Sequence, residues 1–202
     1  MQGLYVITPA SASCPDRLAD AVEKALQGGA SVVQFRHKSP DWALKKTLAE
    51  ATLEVCRRHG VCFLINDSTQ LAAEIGADGV HLGQTDGSLI EARAQLGAHA
   101  VIGRTCHDSK ALMKAAVSEG ATYCAFGRLF PSHTKPDASA LSLTALADLV
   151  TATPCPVVAI GGIDANNAAP VIQTGVSAIA VSGAVFEAPD IRAAAQALAT
   201  LF

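Results

Sequence analysis

The chain has 202 residues, half of them hydrophobic, with 16% charged and a formal net charge of −3. That apolar fraction is ample for one sizeable core. So few charges, with no long basic stripe, exclude nucleic acid as an expected partner and give attraction to a membrane no electrostatic support.

Leu4 to Thr8 reads as a first strand, and Pro15 to Leu26 as a helix that Gly28-Gly29 ends. Ser31 to Arg36 is a second strand, followed by a helix from about Trp42 to Arg58 that Gly60 stops. Val61 to Ile65 is strand, Thr69 to Glu74 helix, and Gly79 to Leu82 strand. Leu89 to Leu96 is helical, Val101 to Gly103 strand, Ser109 to Glu119 helical and Tyr123 to Phe126 strand. Leu141 to Leu149 makes the next helix before a strand at Pro156 to Ile160. Asn166 to Gln173 is helix, Ala178 to Val181 the last strand, and Ile191 to Leu201 the last helix.

Glycine-rich breaks such as Gly76-Ala-Asp-Gly79, Gly120 and Gly175 precede successive strands, and no proline-rich linker divides the chain. Eight strand-then-helix units of this kind imply a parallel sheet covered by helices and closed as a single-domain (βα)8 TIM barrel over residues 1–202. An open doubly wound sheet is the alternative. It is disfavoured by the lack of GxGxxG after the first strand and by polar residues after many strands instead of at one switch point. In a barrel all these loops share one C-terminal face, so groups scattered in sequence can surround one ligand.

Cys14, Cys56, Cys62, Cys106, Cys124 and Cys155 form no CxxC pair, which points to free thiols in a reducing, cytoplasmic setting. Met1-Gln2-Gly3 lacks the cationic start of an export signal, and no run reaches the roughly 20 apolar residues of a membrane span.

The loop between Pro131 and Pro136 holds Ser132, Thr134 and Lys135, two hydroxyls and an ammonium that suit a phosphate or pyrophosphate. Gln34, Arg36 and Lys38 alternate, so a continuing strand would point all three one way, and two cations at that spacing favour a polyanion. Asn66 and Asp67 follow the third strand and Asp86 lies in the loop after the fourth. Either aspartate alone reads as a turn former or helix cap. Two carboxylates in adjacent loops near a diphosphate form the usual arrangement for Mg²⁺. Thr105 is a candidate donor to substrate, and Asp108 a candidate cap for the next helix. Cys106 and His107, adjacent on an extended chain, point apart and do not form a nucleophile pair. Gly161-Gly162 and Ser182-Gly183 end strands seven and eight, where a barrel often binds phosphate. Two anionic subsites suggest two substrates.

The runs Gln34-Phe-Arg-His-Lys38, Ile65-Asn-Asp67, Ala77-Asp-Gly-Val-His-Leu-Gly-Gln-Thr-Asp86, Phe126-Gly, Ser132-His-Thr-Lys-Pro136 and Ala159-Ile-Gly-Gly-Ile163 resemble the thiamine phosphate synthase family in order and spacing. The resemblance implies an Mg²⁺-dependent (βα)8 transferase that joins hydroxymethylpyrimidine diphosphate to a thiazole phosphate carboxylate and releases pyrophosphate. It implies that Gln34, Arg36, Lys38, Asn66, Thr105 and Lys135 hold the pyrimidine diphosphate, and that Asp67 and Asp86 hold the metal. Ser132, Thr134, Gly162, Ser182 and Gly183 would hold the thiazole phosphate, and Arg36, Lys38 and Lys135 would neutralise the leaving group. The implied partners are these two small molecules, with a homo-oligomer allowed.

Ser132, Thr105 and Ser68 depart from the commonest family pattern, the first two keeping a hydroxyl. Arg128 lies in the loop region where related thiazole tautomerases carry a histidine, which weakens the tautomerase reading; it stays second because it shares the fold and the phosphate subsite. A barrel that binds a phosphorylated metabolite without turnover is the third.

Overall fold

The computed structural model describes residues 1–131 and 141–202. Eight parallel strands close on themselves in sequence order, β1-β2-β3-β4-β5-β6-β7-β8, the (βα)8 TIM barrel expected from the alternation. The elements run β1 (Gly3–Ile7), α1 (Pro15–Gln27), β2 (Ala30–Phe35), α2 (Trp42–His59), β3 (Cys62–Asn66), α3 (Thr69–Ile75), β4 (Gly79–Leu82) and α4 (Leu89–Leu96). They continue as β5 (Val101–His107), α5 (Lys110–Ser118), β6 (Tyr123–Phe126), α6 (Leu143–Ala152), β7 (Val157–Ile160), α7 (Ala168–Ile172), β8 (Ala178–Val181), α8 (Gly183–Phe186) and α9 (Ile191–Ala199).

The strands are short and apolar because both faces are covered. Alternate residues divide between two cores. Leu4, Val6, Val33, Phe35, Phe63, Ile65, Val80, Ile179 and Val181 face outward into the layer shared with the helices. Tyr5, Ile7, Val32, Leu64, Tyr123, Ala125, Val158, Ala178 and Ala180 fill the barrel itself. The helices start where short polar side chains accept their first free N–H groups. Asp41 accepts from Leu44, Ser68 from Leu71, Ser142 from Ala145 and Asp190 from Ala193.

Three local expectations differ from the structure. β5 runs on to His107 instead of ending at Gly103, because Thr105 still pairs with Ala125 and His107 with Phe126 across a bulge. Ser109, not Asp108, caps α5, its hydroxyl accepting from Leu112. The four-residue helix α8 directly after β8 is too short to show a periodicity in sequence.

At Gly103 the backbone of β5 comes so close to β6 that a Cβ there would lie 2.1 Å from Cζ of Tyr123. A Gly103→Ala substitution has to displace that ring, and overpacking of this kind costs about 1–3 kcal/mol. In urea unfolding the variant is expected to show a lower midpoint at unchanged slope. An unchanged midpoint would mean that the Tyr123 ring is not held by this contact.

Candidate active site

Carbonyl ends of β1 to β8 surround a cavity of about 410 Å³ that opens at the mouth of the barrel. Of the residues singled out from sequence, Gln34, Arg36, Asn66, Asp67, Thr105 and Ser182 line it. Tyr5, His81 and Tyr123 line it as well. They were not assigned a role in sequence because each sits inside an apolar strand and reads as core.

Arg36 lies just past the end of β2, and its backbone is clamped to the first loop: its N–H donates to Thr8 Oγ1 at 2.9 Å, and the Thr8 hydroxyl donates back to its carbonyl at 3.3 Å. Because β2 stops at Phe35, the alternation of Gln34, Arg36 and Lys38 does not extend along one strand. Gln34 is buried at the cavity floor, 3% exposed. Lys38 is exposed at the rim, its backbone N–H donating to the Ala10 carbonyl at 3.3 Å. Among the described residues neither Arg36 nor Lys38 has a carboxylate within ion-pair distance.

Asp67 occupies the left-handed region, φ 64°. Its own N–H continues the ladder to the His81 carbonyl at 2.9 Å, and the N–H of Ser68 turns back to the carbonyl of Asn66 at 2.8 Å. The result is a three-residue γ-turn centred on Asp67, a conformation that costs free energy and that clusters at functional sites. The turn brings the Asp67 carboxyl to hydrogen-bond distance of Asp86, while Asp86 Oδ2 accepts from the N–H of Gly83 at 2.8 Å. Desolvation, and then the neighbouring Asp86, push the Asp67 carboxyl up to about 6, with Asn66 and the Arg36 charge pulling the other way. Two carboxyls this close favour sharing one proton or one cation. Among the described residues no third His, Cys, Asp or Glu joins them in a metal-binding group, so a hard divalent ion held here would complete its shell with water or substrate oxygens, as Mg²⁺ does.

Across the barrel interior a line of polar groups joins five strands. Gln34 Nε2 donates to Tyr5 Oη at 2.5 Å, and the hydroxyls of Tyr5 and Tyr123 are 2.9 Å apart. Tyr123 Oη meets His81 Nδ1 at 2.8 Å, and His81 Nε2 meets Thr105 Oγ1 at 2.8 Å. Burial lowers His81 to about 4 and raises both phenols above their ordinary value. All three therefore stay neutral over the physiological range. The His107 side chain lines the same cavity, whereas Cys106 is buried in the outer core, the divergence expected of neighbours on a strand.

A second cavity, of about 560 Å³, adjoins the first along Ile7, Ile160, Gly161, Ala180 and Ser182. Gly162 and Gly183 line it with Ser182, Asp164 and Glu187. A Cβ on Gly162 would lie 2.7 Å from the Pro131 carbonyl oxygen, so the turn after β7 can pass under the Pro131 loop only as glycine. The Glu187 carboxyl stands close over Gly183, 3.1 Å from where a Cβ would be. An anion seated at that turn requires the Glu187 side chain to rotate outward. Ser132, Thr134 and Lys135 lie outside the described residues.

A closed parallel barrel with its polar groups gathered at the C-terminal mouth is the architecture of a (βα)8-barrel enzyme. The comparisons narrow that class. The chain belongs to the thiamine monophosphate synthase family, whose profile matches residues 4–185, and it is a transferase. A thiamine-phosphate synthase of Chromobacterium violaceum is 47% identical over 202 residues, covering 100% of this chain and 97% of that one. A thiamine-phosphate synthase of Methylococcus capsulatus is 47% identical over 201 residues, covering 100% of this chain and 89% of the relative. Among solved structures, a thiamine phosphate pyrophosphorylase from Pyrococcus furiosus superposes with a TM-score of 0.88 at 32% identity, covering 99% of this chain and 95% of that one. A 3-hexulose-6-phosphate synthase, TM-score 0.73 at 16% identity, shares the fold.

The raised Asp67 carboxyl generates a pH dependence. In metal-free protein the unfolded chain releases this proton near 3.8 and the folded chain near 6, so the folded state binds the proton more tightly between those values. Relative to an Asp67→Asn variant, the wild type in EDTA is expected to lose stability as pH rises through that window and to level off above it. Parallel melting-temperature profiles for the two proteins would show that the carboxyls do not crowd each other.

Proposed function

We propose that the chain condenses hydroxymethylpyrimidine diphosphate with a thiazole phosphate carboxylate to give thiamine phosphate, pyrophosphate and carbon dioxide. The observation that carries this reading is the meeting of Asp67 with Asp86 at a cavity that Arg36, Asn66 and Asp67 line, so that a pair of carboxyls and a guanidinium stand at one mouth. A thiazole tautomerase has no diphosphate for that pair to serve, and a bare phosphate binder does not need it.

In this reading the pyrimidine diphosphate enters the 410 Å³ cavity, its diphosphate toward Arg36, Asn66, Thr105 and, at the rim, Lys38. Asp67 and Asp86 hold Mg²⁺, which when bound would offset charge on the diphosphate oxygens. The thiazole phosphate sits in the adjoining cavity at Gly162, Ser182 and Gly183, with Ser132 and Thr134 assigned there by resemblance. Nearness of the two cavities supports this arrangement, since they share five lining residues on β1 and at the ends of β7 and β8.

The aminopyrimidine ring can stabilise a positive methylene carbon. The C–O bond to pyrophosphate then breaks first, the electron pair leaving with the oxygen. The lone pair of the thiazole nitrogen next forms the C–N bond, and the carboxylate leaves as carbon dioxide, its electron pair taking a solvent proton at the ring carbon. No side chain has to remove a proton from that nitrogen. Arg36, Lys38 and Lys135 neutralise the departing pyrophosphate, and the walls of the cavity hold the two rings in line. Six free thiols and no described helix long and apolar enough to cross a membrane are compatible with a cytoplasmic setting for this reaction.

Purified protein given both substrates is expected to release pyrophosphate with Mg²⁺ and to stop with EDTA. Asp67→Asn and Lys135→Ala are each expected to lower turnover by at least about 100-fold, the order seen when one electrostatic stabiliser of a transition state is removed, while each variant still unfolds in one cooperative thermal transition. Release from one substrate alone, or near-normal turnover in both variants, would sink the proposal. Interconversion of thiazole phosphate isomers without pyrophosphate release would favour the tautomerase.

A further inference from the structure

We propose that His81 is a positioning residue: a one-way chain of hydrogen bonds, Gln34 to Tyr5 to Tyr123 to His81, keeps its proton on Nε2 and so makes the Thr105 hydroxyl a donor into the mouth. The donor's target rests on the function proposed above. The chain of bonds does not.

The direction follows from counting protons. Each phenol has one. Tyr5 Oη receives an N–H from Gln34 Nε2 at 2.5 Å and has one other polar neighbour, Tyr123 Oη at 2.9 Å. Its proton therefore goes to Tyr123. Tyr123 Oη, having accepted, gives its proton to its remaining neighbour, His81 Nδ1 at 2.8 Å. A neutral imidazole that accepts at Nδ1 carries its hydrogen on Nε2, and that nitrogen donates to Thr105 Oγ1 at 2.8 Å. The Thr105 hydroxyl hydrogen then has no acceptor within the described chain, and Thr105 lines the cavity. The opposite direction aims two donors at the oxygen of Tyr5, which is 1% exposed, and leaves its own hydrogen without an acceptor, an arrangement that buried groups avoid. Only reversal of the Gln34 amide would make it tenable, and it would put the histidine proton on Nδ1.

Packing holds the links in place. The Tyr5 and Tyr123 rings meet edge to face at 6.1 Å, and the His81 ring lies over Tyr123 at 5.5 Å and 24°. The consequence is chemical. Diphosphate oxygens carry no protons and need donors, whereas a threonine that had given its hydrogen to His81 would turn lone pairs toward them.

Two measurements on the full chain test this. In ¹⁵N NMR, His81, assigned by the resonance lost in His81→Gln, is expected to show an unprotonated Nδ1 and a proton bonded to Nε2. A proton on Nδ1 overturns the proposal. Calorimetry with the pyrimidine diphosphate then reads the consequence. Thr105→Val should weaken binding about tenfold or more, the worth of a hydrogen bond to a charged group, with Thr105→Ser near wild type. Tyr123→Phe, which keeps the ring and removes the link, should weaken it comparably in the parent and by about twofold or less in Thr105→Val. Losses that multiply in the double variant overturn the proposal, because Tyr123 would then act on the ligand independently. A wild type that binds no diphosphate overturns the functional reading, and the NMR result alone then decides the chain of bonds.

Discussion

Pairing of β1 with β8, from Gly3 opposite Ala178 to Val6 opposite Val181, is the constraint on which the rest depends. Without it the sheet would be open, and the loops after β2 and β3 would lie far from those after β7 and β8. With it, Tyr5 on β1 can touch Gln34 on β2 on one side and reach Tyr123 on β6 across the interior. Closure also leaves no strand edge, so the backbone polar groups of every strand have partners on both sides. A sheet satisfied in this way tolerates polar side chains within it, provided that they satisfy one another.

That condition accounts for where the molecule is stable and where it is tense. The outer layer of leucines, valines and phenylalanines needs nothing from the ligand. The mouth holds what stability alone would disfavour: a γ-turn at Asp67, a carboxyl forced against another, and a second non-glycine residue in the left-handed region at His107, φ 52°. Such local costs persist only when the surrounding structure over-determines them. They fall together at the end of the barrel where barrel enzymes keep their sites.

Much of this was legible in the residues. β6 and β8 begin and end where their apolar runs do, because a strand buried on both faces has an unbroken hydrophobic signature. Gln34, Arg36, Asn66, Asp67 and Thr105 could be gathered on one face because topology alone places every strand's C-terminal end there. Tyr5, Tyr123 and His81 could not be gathered with them. A tyrosine in an apolar strand looks the same whether it packs or hydrogen-bonds, and the partners here are 118 and 42 positions apart in the chain. The extension of β5 was hidden by Thr105 and His107, polar residues that a strand end and a loop use alike. Lys38 shows the opposite error, where an alternating pattern ran past the last residue of the strand.

The inner wall of the cavity is uneven. Tyr5, His81 and Tyr123 crowd one part of it, while Ala125, Val158 and Ala180 leave space on the β6 to β8 side. Those small residues point inward, and their strand neighbours Cys124, Val157 and Val181 carry the contacts with the helices. The space open inside the barrel is therefore set by side chains whose enlargement would fill the cavity from within and leave the outer layer untouched. Selectivity for ligand size and resistance to unfolding reside in alternate residues of the same strands, so natural variation can act on one with little effect on the other.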